Sequence, residues 1–394
     1  MNKMNKSVIS IAITSAMLGS SGVGYAQVVQ NLDKPGLYAS VRAAVVDDDN
    51  ILRQDEKTTA LKSDTITIVA PDVAYAVFMG KHRLLAQYVG NYGSYSDYSN
   101  EDYTDHSLNA ELFLDLDPKF NIDLLAGQTQ GHESRGASGT GTVSTKPNEF
   151  DDTFAFAQLT YGRRIAKAQV QLDVETRELD FTNNNQDARD RDIATVSGRV
   201  FYNLGPKTSA FLELTQKDID YVQASSTLDS TEQYVHIGAR WEATAKTTGE
   251  LKFGTYDKDF DSASRTDTDG TSLVANITWS PRTYSHLTLT ALNRPNETAT
   301  GDDSYTASYY TLAWQHGIND KLGLNANVRT GTDDYEGGTR KDDLLNYGVG
   351  VSYDFKRWLS VGLNYDYSER DSNVAGSDFE ANVYTLSASL SLPE

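Results

Sequence analysis

Six histidines, His82, His106, His132, His236, His286 and His316, are the residues of this sequence best able to move a proton or hold a metal near neutral pH. No two of them stand in an HxH or HExxH spacing, so no local pair of ligands is offered. The chain has no cysteine, which removes thiolate catalysis and thiolate metal sites. Neither a GxSxG elbow nor a P-loop is present. A hydrolase would have to gather Ser, His and Asp from separate segments, and no motif marks such a gathering. Asp47-Asp48-Asp49-Asn50 has the oxygen donors that calcium takes, but it lacks the spaced ligands and glycine of an EF-hand loop, so a solvated acidic loop is expected. No catalytic residue, metal site or cofactor is assigned, and the chain is expected not to be an enzyme.

The chemistry that remains is electrostatic. Charged side chains recur at alternate positions between apolar ones: Glu111, Asp115, Asp123, Asp173, Glu175, Arg199, Glu213, Lys217, Arg240, Glu250, Lys252, Arg294 and Arg329. On a closed sheet they would share the inner face and line a pore. Both signs are present, which suits a neutral or weakly charged hydrophilic cargo, since charged rings set selectivity. Phe113, Phe201, Phe211 and Tyr234 share that face. They either stack on sugar rings or brace the lumen against inserted loops.

Strands must position these residues. Leu322, Leu324, Ala326 and Val328 alternate with Gly323, Asn325, Asn327 and Arg329, and Leu359, Val361, Leu363, Tyr365 and Tyr367 alternate with Ser360, Gly362, Asn364 and Asp366. A period of two marks strands with one apolar and one polar face. Candidate strands run over 36–46, 64–79, 82–97, 104–117, 119–134, 150–162, 165–181, 191–204, 207–222, 229–244, 247–261, 269–280, 284–296, 304–316, 319–335, 341–354, 357–371 and 378–392.

The joints alternate between tight turns, such as Gly80-Lys81 and Gly205-Pro206, and longer polar loops, such as residues 47–63, 133–149 and 182–190. This predicts an all-β, up-and-down antiparallel transmembrane barrel of about 18 strands, with short periplasmic turns and longer extracellular loops. Soluble sandwich strands average about 5–6 residues, whereas a membrane strand needs about 9–11, and most of these exceed ten. The loop over 133–149 either folds inward to narrow the pore or stays on the surface. Tyr161, Tyr202, Trp241, Trp279, Trp314, Tyr353 and Trp358 lie near short turns, where a periplasmic aromatic girdle belongs.

Composition agrees. Hydrophobic residues are 39% of 394, below the roughly 45–50% of globular domains, and mean hydropathy is −0.50. A wide barrel whose inner half faces water has such an average, whereas a helical membrane protein needs apolar runs of about 20 residues. A net charge of −20 argues against nucleic acid as a partner. Much of the excess negative charge falls in loops such as 47–49 and 302–303. Lys3 and Lys6, the apolar stretch over 8–23 and Gly24-Tyr25-Ala26 form a secretory leader with a cut after Ala26. The expected organisation is a signal peptide over 1–26 and an outer-membrane barrel over 27–394.

Asp48-Asp49-Asn50-Ile51-Leu52-Arg53, then Asp64, Pro71, Gly80, His82, Leu84, Tyr88, Tyr92, Tyr95 and Asp102-Tyr103-Thr104-Asp105-His106, form an ordered set of short motifs. Arg177, Phe181, Asp190, Asp192, Arg199 and Tyr202 extend it. In this the chain resembles the β-barrel porin family often encoded with exopolysaccharide synthesis genes, like the outer-membrane proteins of Vibrio-type biofilm polysaccharide loci. The last strand ends Leu390-Ser391-Leu392-Pro393-Glu394, without the terminal aromatic usual in outer-membrane barrels. The resemblance implies export of an exopolysaccharide across the outer membrane. The implied partners are outer-membrane lipid, the polysaccharide, and a periplasmic polysaccharide export protein or copolymerase. A passive diffusion porin for small hydrophilic solutes is the alternative, and an outer-membrane enzyme a third.

Overall fold

The computed structural model describes residues 34–392 except 141–143, 164–165, 245 and 300, so the leader expected over 1–26 lies outside the described residues. Eighteen strands follow in order: β1 Gly36–Asp48, β2 Asp64–Met79, β3 His82–Tyr95, β4 Tyr103–Asp117, β5 Phe120–His132, β6 Glu149–Tyr161, β7 Ala168–Phe181, β8 Arg191–Gly205, β9 Thr208–Tyr221, β10 Ser230–Thr244, β11 Thr247–Phe260, β12 Thr268–Arg282, β13 Ser285–Asn296, β14 Ser304–Gly317, β15 Leu322–Glu336, β16 Lys341–Lys356, β17 Leu359–Ser372 and β18 Phe379–Ser391. Each pairs antiparallel with its sequence neighbour, and β1 closes on β18 from Ser40↔Ser391 to Asp48↔Val383. Closure pairs every strand's backbone on both sides, which a lipid environment demands.

The strands lie within three residues of their expected bounds. The larger differences are at β7 and β15, which start at Ala168 and Leu322 rather than at 165 and 319. Before β15 the turn takes up the extra residues: Ile318 N donates to Leu322 O at 2.8 Å and Lys321 N to Asn319 Oδ1 at 2.9 Å. Register shifts fall where Asp115, Asn203, Trp241, Trp279 and Asp354 lead into short turns. Bulges at a barrel rim let the strands bend into the turn. Gly80 makes the two-residue β2–β3 turn at φ +66, where a side chain would be strained.

The outward face carries Leu212, Leu214, Val235, Ile237, Leu251 and Phe253, all exposed in the isolated chain. They cover one another's strands in register, as in Ile237↔Leu212 and Ile237↔Phe253. Water would penalise this band, whereas hydrocarbon is its natural solvent. Ile237→Arg, in the middle of the band, is expected to cost about 2–4 kcal/mol. Urea titration of the protein folded into lipid vesicles checks this, and an unchanged midpoint would place Ile237 off the lipid face. The sequence-predicted girdle residues Tyr161, Tyr202, Trp279, Tyr353 and Trp358 are exposed at the short-turn end. Trp314 is part-covered there and donates from Nε1 to Ser285 Oγ at 3.1 Å.

Candidate functional site: the lumen

The register sets the sequence-predicted residues on one face. Phe113 lies opposite Asp123, Asp123 opposite Gln158, and Gln158 opposite Asp173. Gln171, Arg199, Glu213 and His236 form the next continuous row. The same parity puts Glu111, Asp115, Glu175, Lys217, Arg240, Glu250, Lys252, Arg294 and Arg329 on this inner face.

Some of these residues are brought together. Glu213 accepts from Arg199 Nε at 2.6 Å and Lys252 Nζ at 2.5 Å, and His236 Nδ1 stands 3.3 Å away. Arg199 also reaches Glu250 at 3.6 Å. Arg83 pairs with Glu111, and Lys81 stands 3.8 Å from Asp115. Asp173 accepts from Gln171 at 3.0 Å. Arg240 donates to Gln169 Oε1 at 2.6 Å. Glu175, Arg294 and Arg329 stand apart from these groups, and Arg329 covers the Tyr309 ring at 4.0 Å.

The aromatics differ in role. Phe201 and Phe211 are buried, with centroids 5.3 Å apart, and Arg240 lies 3.7 Å over Phe201 while Arg199 lies 5.0 Å over Phe211. The guanidinium groups cover these rings, so they support the charged wall rather than present faces for stacking. Tyr234 donates to Glu232 Oε2 at 2.7 Å and stacks on His236. Phe113 lies opposite Arg83 in register.

A second network escaped the sequence reading. Glu232 takes Lys217 at 3.2 Å and Lys258 at 3.1 Å, and Lys258 continues to Glu297 at 2.5 Å. Tyr221 donates to Glu297 at 2.6 Å. Glu232 and Lys258 share the parity of Arg240 and Lys252, so alternation could have found them. Glu297 could not be found that way, because it belongs to the β13–β14 loop. Burial alone would raise its carboxyl, but Lys258 and then Lys217 outweigh that and hold it below its ordinary value.

The loops decide the shape of the lumen. From the β5–β6 loop, Arg135 grips Glu101 with two bonds of 2.8 and 2.7 Å, and Gly136 O accepts from Arg370 at 2.5 Å. Gly139 N donates to Tyr335 Oη at 3.1 Å, and Gly139 O accepts from Ala299 N at 2.7 Å. Ser138 reaches Tyr309 at 3.4 Å. The loop therefore leaves β5, crosses the barrel and docks on β14, β15 and β17, beside the inward-folded β13–β14 loop. Gly136 and Gly139 have φ of +72 and +71, and a side chain at either would collide with Arg53 or Tyr305. Of the two expectations for residues 133–149, the described part takes the inward one.

The acidic run at 47–50 is solvated only in part: Asp47 and Asp49 are exposed. Asp48 and Asn50 are buried; Arg53 chelates Asp48 at 2.8 and 2.9 Å, and Asp49 accepts twice from Asn382 at 2.7 Å. Asp48 and Asp49 anchor the segment at the rim. Among the described residues no group of three His, Asp or Glu is placed to share a metal.

Two further contrasts mark the channel. The short turns and the strand ends beside them carry Lys81, Lys119, Arg163, Lys167, Lys207, Lys246, Arg282, Lys321, Lys356 and Arg357 against Asp117, Glu242, Asp320 and Asp354, so the short-turn end is a collar of net basic charge on an acidic protein. At that mouth a cavity of about 590 Å³ lies between Lys321, Lys356, Trp358, Ser360, Ser389 and Ser391.

The sequence matches the family model described as "Putative beta-barrel porin 2" over residues 36–392, from the first strand to the end of the last. No curated protein matches it. Among solved structures it is similar to Pseudomonas aeruginosa OccK9 (OpdG), at 14% identity over 92% of this chain and 99% of that one, with a TM-score of 0.50. It is also similar to Pseudomonas aeruginosa OccK2 (OpdF), at 12% identity over 90% and 98%, with a TM-score of 0.51. At such identities the likeness is one of fold.

Proposed function

The chain belongs to this β-barrel porin family and forms an outer-membrane, porin-like channel, and on that premise we propose that its cargo is an exopolysaccharide leaving the cell. The observation that carries the proposal is the inner wall itself. Where charges occur they are mostly paired with one another, while β15–β18 present Asn325, Asn327, Asn364, Ser387 and Ser389 to the lumen. A long uncharged or weakly charged polymer can slide along such a wall by exchanging hydrogen bonds with water, and among the described residues no unpaired ring of charge stands in its way. The site residues named from the sequence act here as walls and braces of the pore.

The surfaces of the barrel support the proposed partners. Lipid surrounds the apolar band. The basic collar is the surface offered to a periplasmic polysaccharide export protein or copolymerase carrying an acidic face. The barrel itself performs no bond-making step.

A clean deletion in a strain whose synthesis enzymes are intact is expected to abolish surface polysaccharide and leave polymer in the periplasm. Normal surface polysaccharide would refute export. The diffusion-porin reading predicts instead normal surface polysaccharide with impaired uptake of small solutes, and a steady, high conductance from the purified protein.

A further inference from the structure

Four side chains on one patch of the lumen wall have no hydrogen-bond or ion-pair partner among the described residues. Asn325 and Asn364 lie on either side of Gly350 in register, and Asn327 and Asp366 lie on either side of Gly348. The side chains lean over the glycines. A methyl group at Gly350 would collide with Asn364 Oδ1 and lie 2.7 Å from Asn325 Nδ2; one at Gly348 would collide with Asp366 Oδ1 and lie 2.9 Å from Asn327 Nδ2. Gly348 is buried beneath its neighbours, while Asn327 and Asp366 are exposed to the lumen. The two rows are two residues apart along the strands, about 7 Å.

The contrast with the facing wall gives the patch its meaning. There Arg177 is held by Asp152, Arg199 and Lys252 by Glu213, and Lys217 and Lys258 by Glu232. Those groups are bonded to each other. The amides over Gly348 and Gly350 retain theirs, each with a carbonyl acceptor and two N–H donors.

We propose that Asn325, Asn327, Asn364 and Asp366, laid flat over Gly348 and Gly350, form a binding subsite for an uncharged polyhydroxylated chain. An amide bonds adjacent hydroxyls as donor and acceptor at once. The one carboxylate, Asp366, accepts from hydroxyls and repels anions. Arg329, the nearest cation along β15, is turned onto the Tyr309 ring. The patch lies toward the short-turn end of β15–β17, whereas the inserted loop docks farther along, at Tyr309 and Tyr335. A chain entering from the periplasm therefore meets the mouth cavity with Ser360 and Ser389, then this platform, then the constriction. The proposal deepens the export reading and rests on it for direction of travel, but not for the binding itself.

The test is saturation-transfer NMR titration of the purified, detergent-solubilised full chain with linear neutral malto-, cello- and manno-hexaoses, and with hexagalacturonate as the anionic counterpart. The wild type is expected to bind at least one neutral hexaose more tightly than the anionic one. Asn325→Leu/Asn364→Leu and, separately, Gly350→Ala are each expected to weaken that binding about tenfold, as loss of two hydrogen bonds would. The shift of folded barrel on unheated gels confirms that each variant is closed, and a single Asn364→Leu serves if the double variant is not. No binding of any neutral hexaose, tighter binding of the anionic one, or equal affinity in closed variants would overturn the proposal. Binding that behaves as expected, beside normal surface polysaccharide in the deletion strain, would retain the subsite and refute export.

Discussion

Excising residues 135–147 and joining β5 to β6 with a short Gly-Ser linker raises single-channel conductance several-fold. The described part of this loop crosses the barrel and holds the far wall through Arg370, Tyr335 and Ala299. Its own anchor is the buried Arg135–Glu101 pair. Ser138, Gly139 and Gly136 of this loop make the contacts to β14, β15 and β17, so the excision opens the cross-section that the loop occupies. Shortening the exposed tip at 223–225, between β9 and β10, leaves conductance unchanged and serves as the control. Equal conductance with and without the β5–β6 loop in planar bilayers would mean that the loop is not the constriction.

Lys258→Met costs about 3–5 kcal/mol of barrel stability, the range for breaking a buried ion pair by removing one partner. Lys258 and Glu232 are fully buried, and Lys258 is the cation between Glu232 and Glu297. Without it Glu297 loses its charged partner on the wall and keeps the Tyr221 hydroxyl, so the hold on the β13–β14 loop, and on the β5–β6 loop beside it, weakens. Lys258→Met/Glu297→Gln recovers part of the loss because one uncompensated charge is gone. Lys341→Met is the comparison: its pair with Asp334 is half-exposed at 3.4 Å, and such pairs are worth about 0–1 kcal/mol. Urea midpoints in detergent read the difference. Equal losses for Lys258 and Lys341 would show that the buried network carries no special share of stability.

The barrel was legible in the sequence because a period of two leaves no ambiguity once strands exceed ten residues. In a strand such as Leu322–Glu336 a slip of one position would put Asn325, Asn327 and Arg329 into lipid, so the pattern dictates the register. The same parity predicts which side chains share the inner face. It does not say which of them meet. Arg199 and Glu213 are opposite in register, so their pairing is local arithmetic, whereas Glu297 and Lys258 meet only because a loop turns inward.

Loop placement depends on contacts between residues far apart in sequence, such as Arg370 with Gly136, and alternation carries no information about these. The acidic run at Asp47–Asn50 departs from a solvated loop for the same reason: the residues that bond Asp48 and Asp49, Arg53 and Asn382, lie outside the local pattern. The low apolar fraction, ambiguous as a bulk number, resolves into an apolar outer band, a polar inner wall, a basic collar and acidic loops.

The central claim, that polysaccharide passes through this lumen, is tested most directly by trapping the polymer in transit. A photo-crosslinking amino acid is placed at Asn327 on the inner wall, and in a second strain at Ile237 on the lipid face, each in the deletion background with synthesis active. Irradiation is predicted to join polymer to the barrel at Asn327 and not at Ile237. Normal surface polysaccharide with no adduct at Asn327, or equal adducts at both positions, would contradict it.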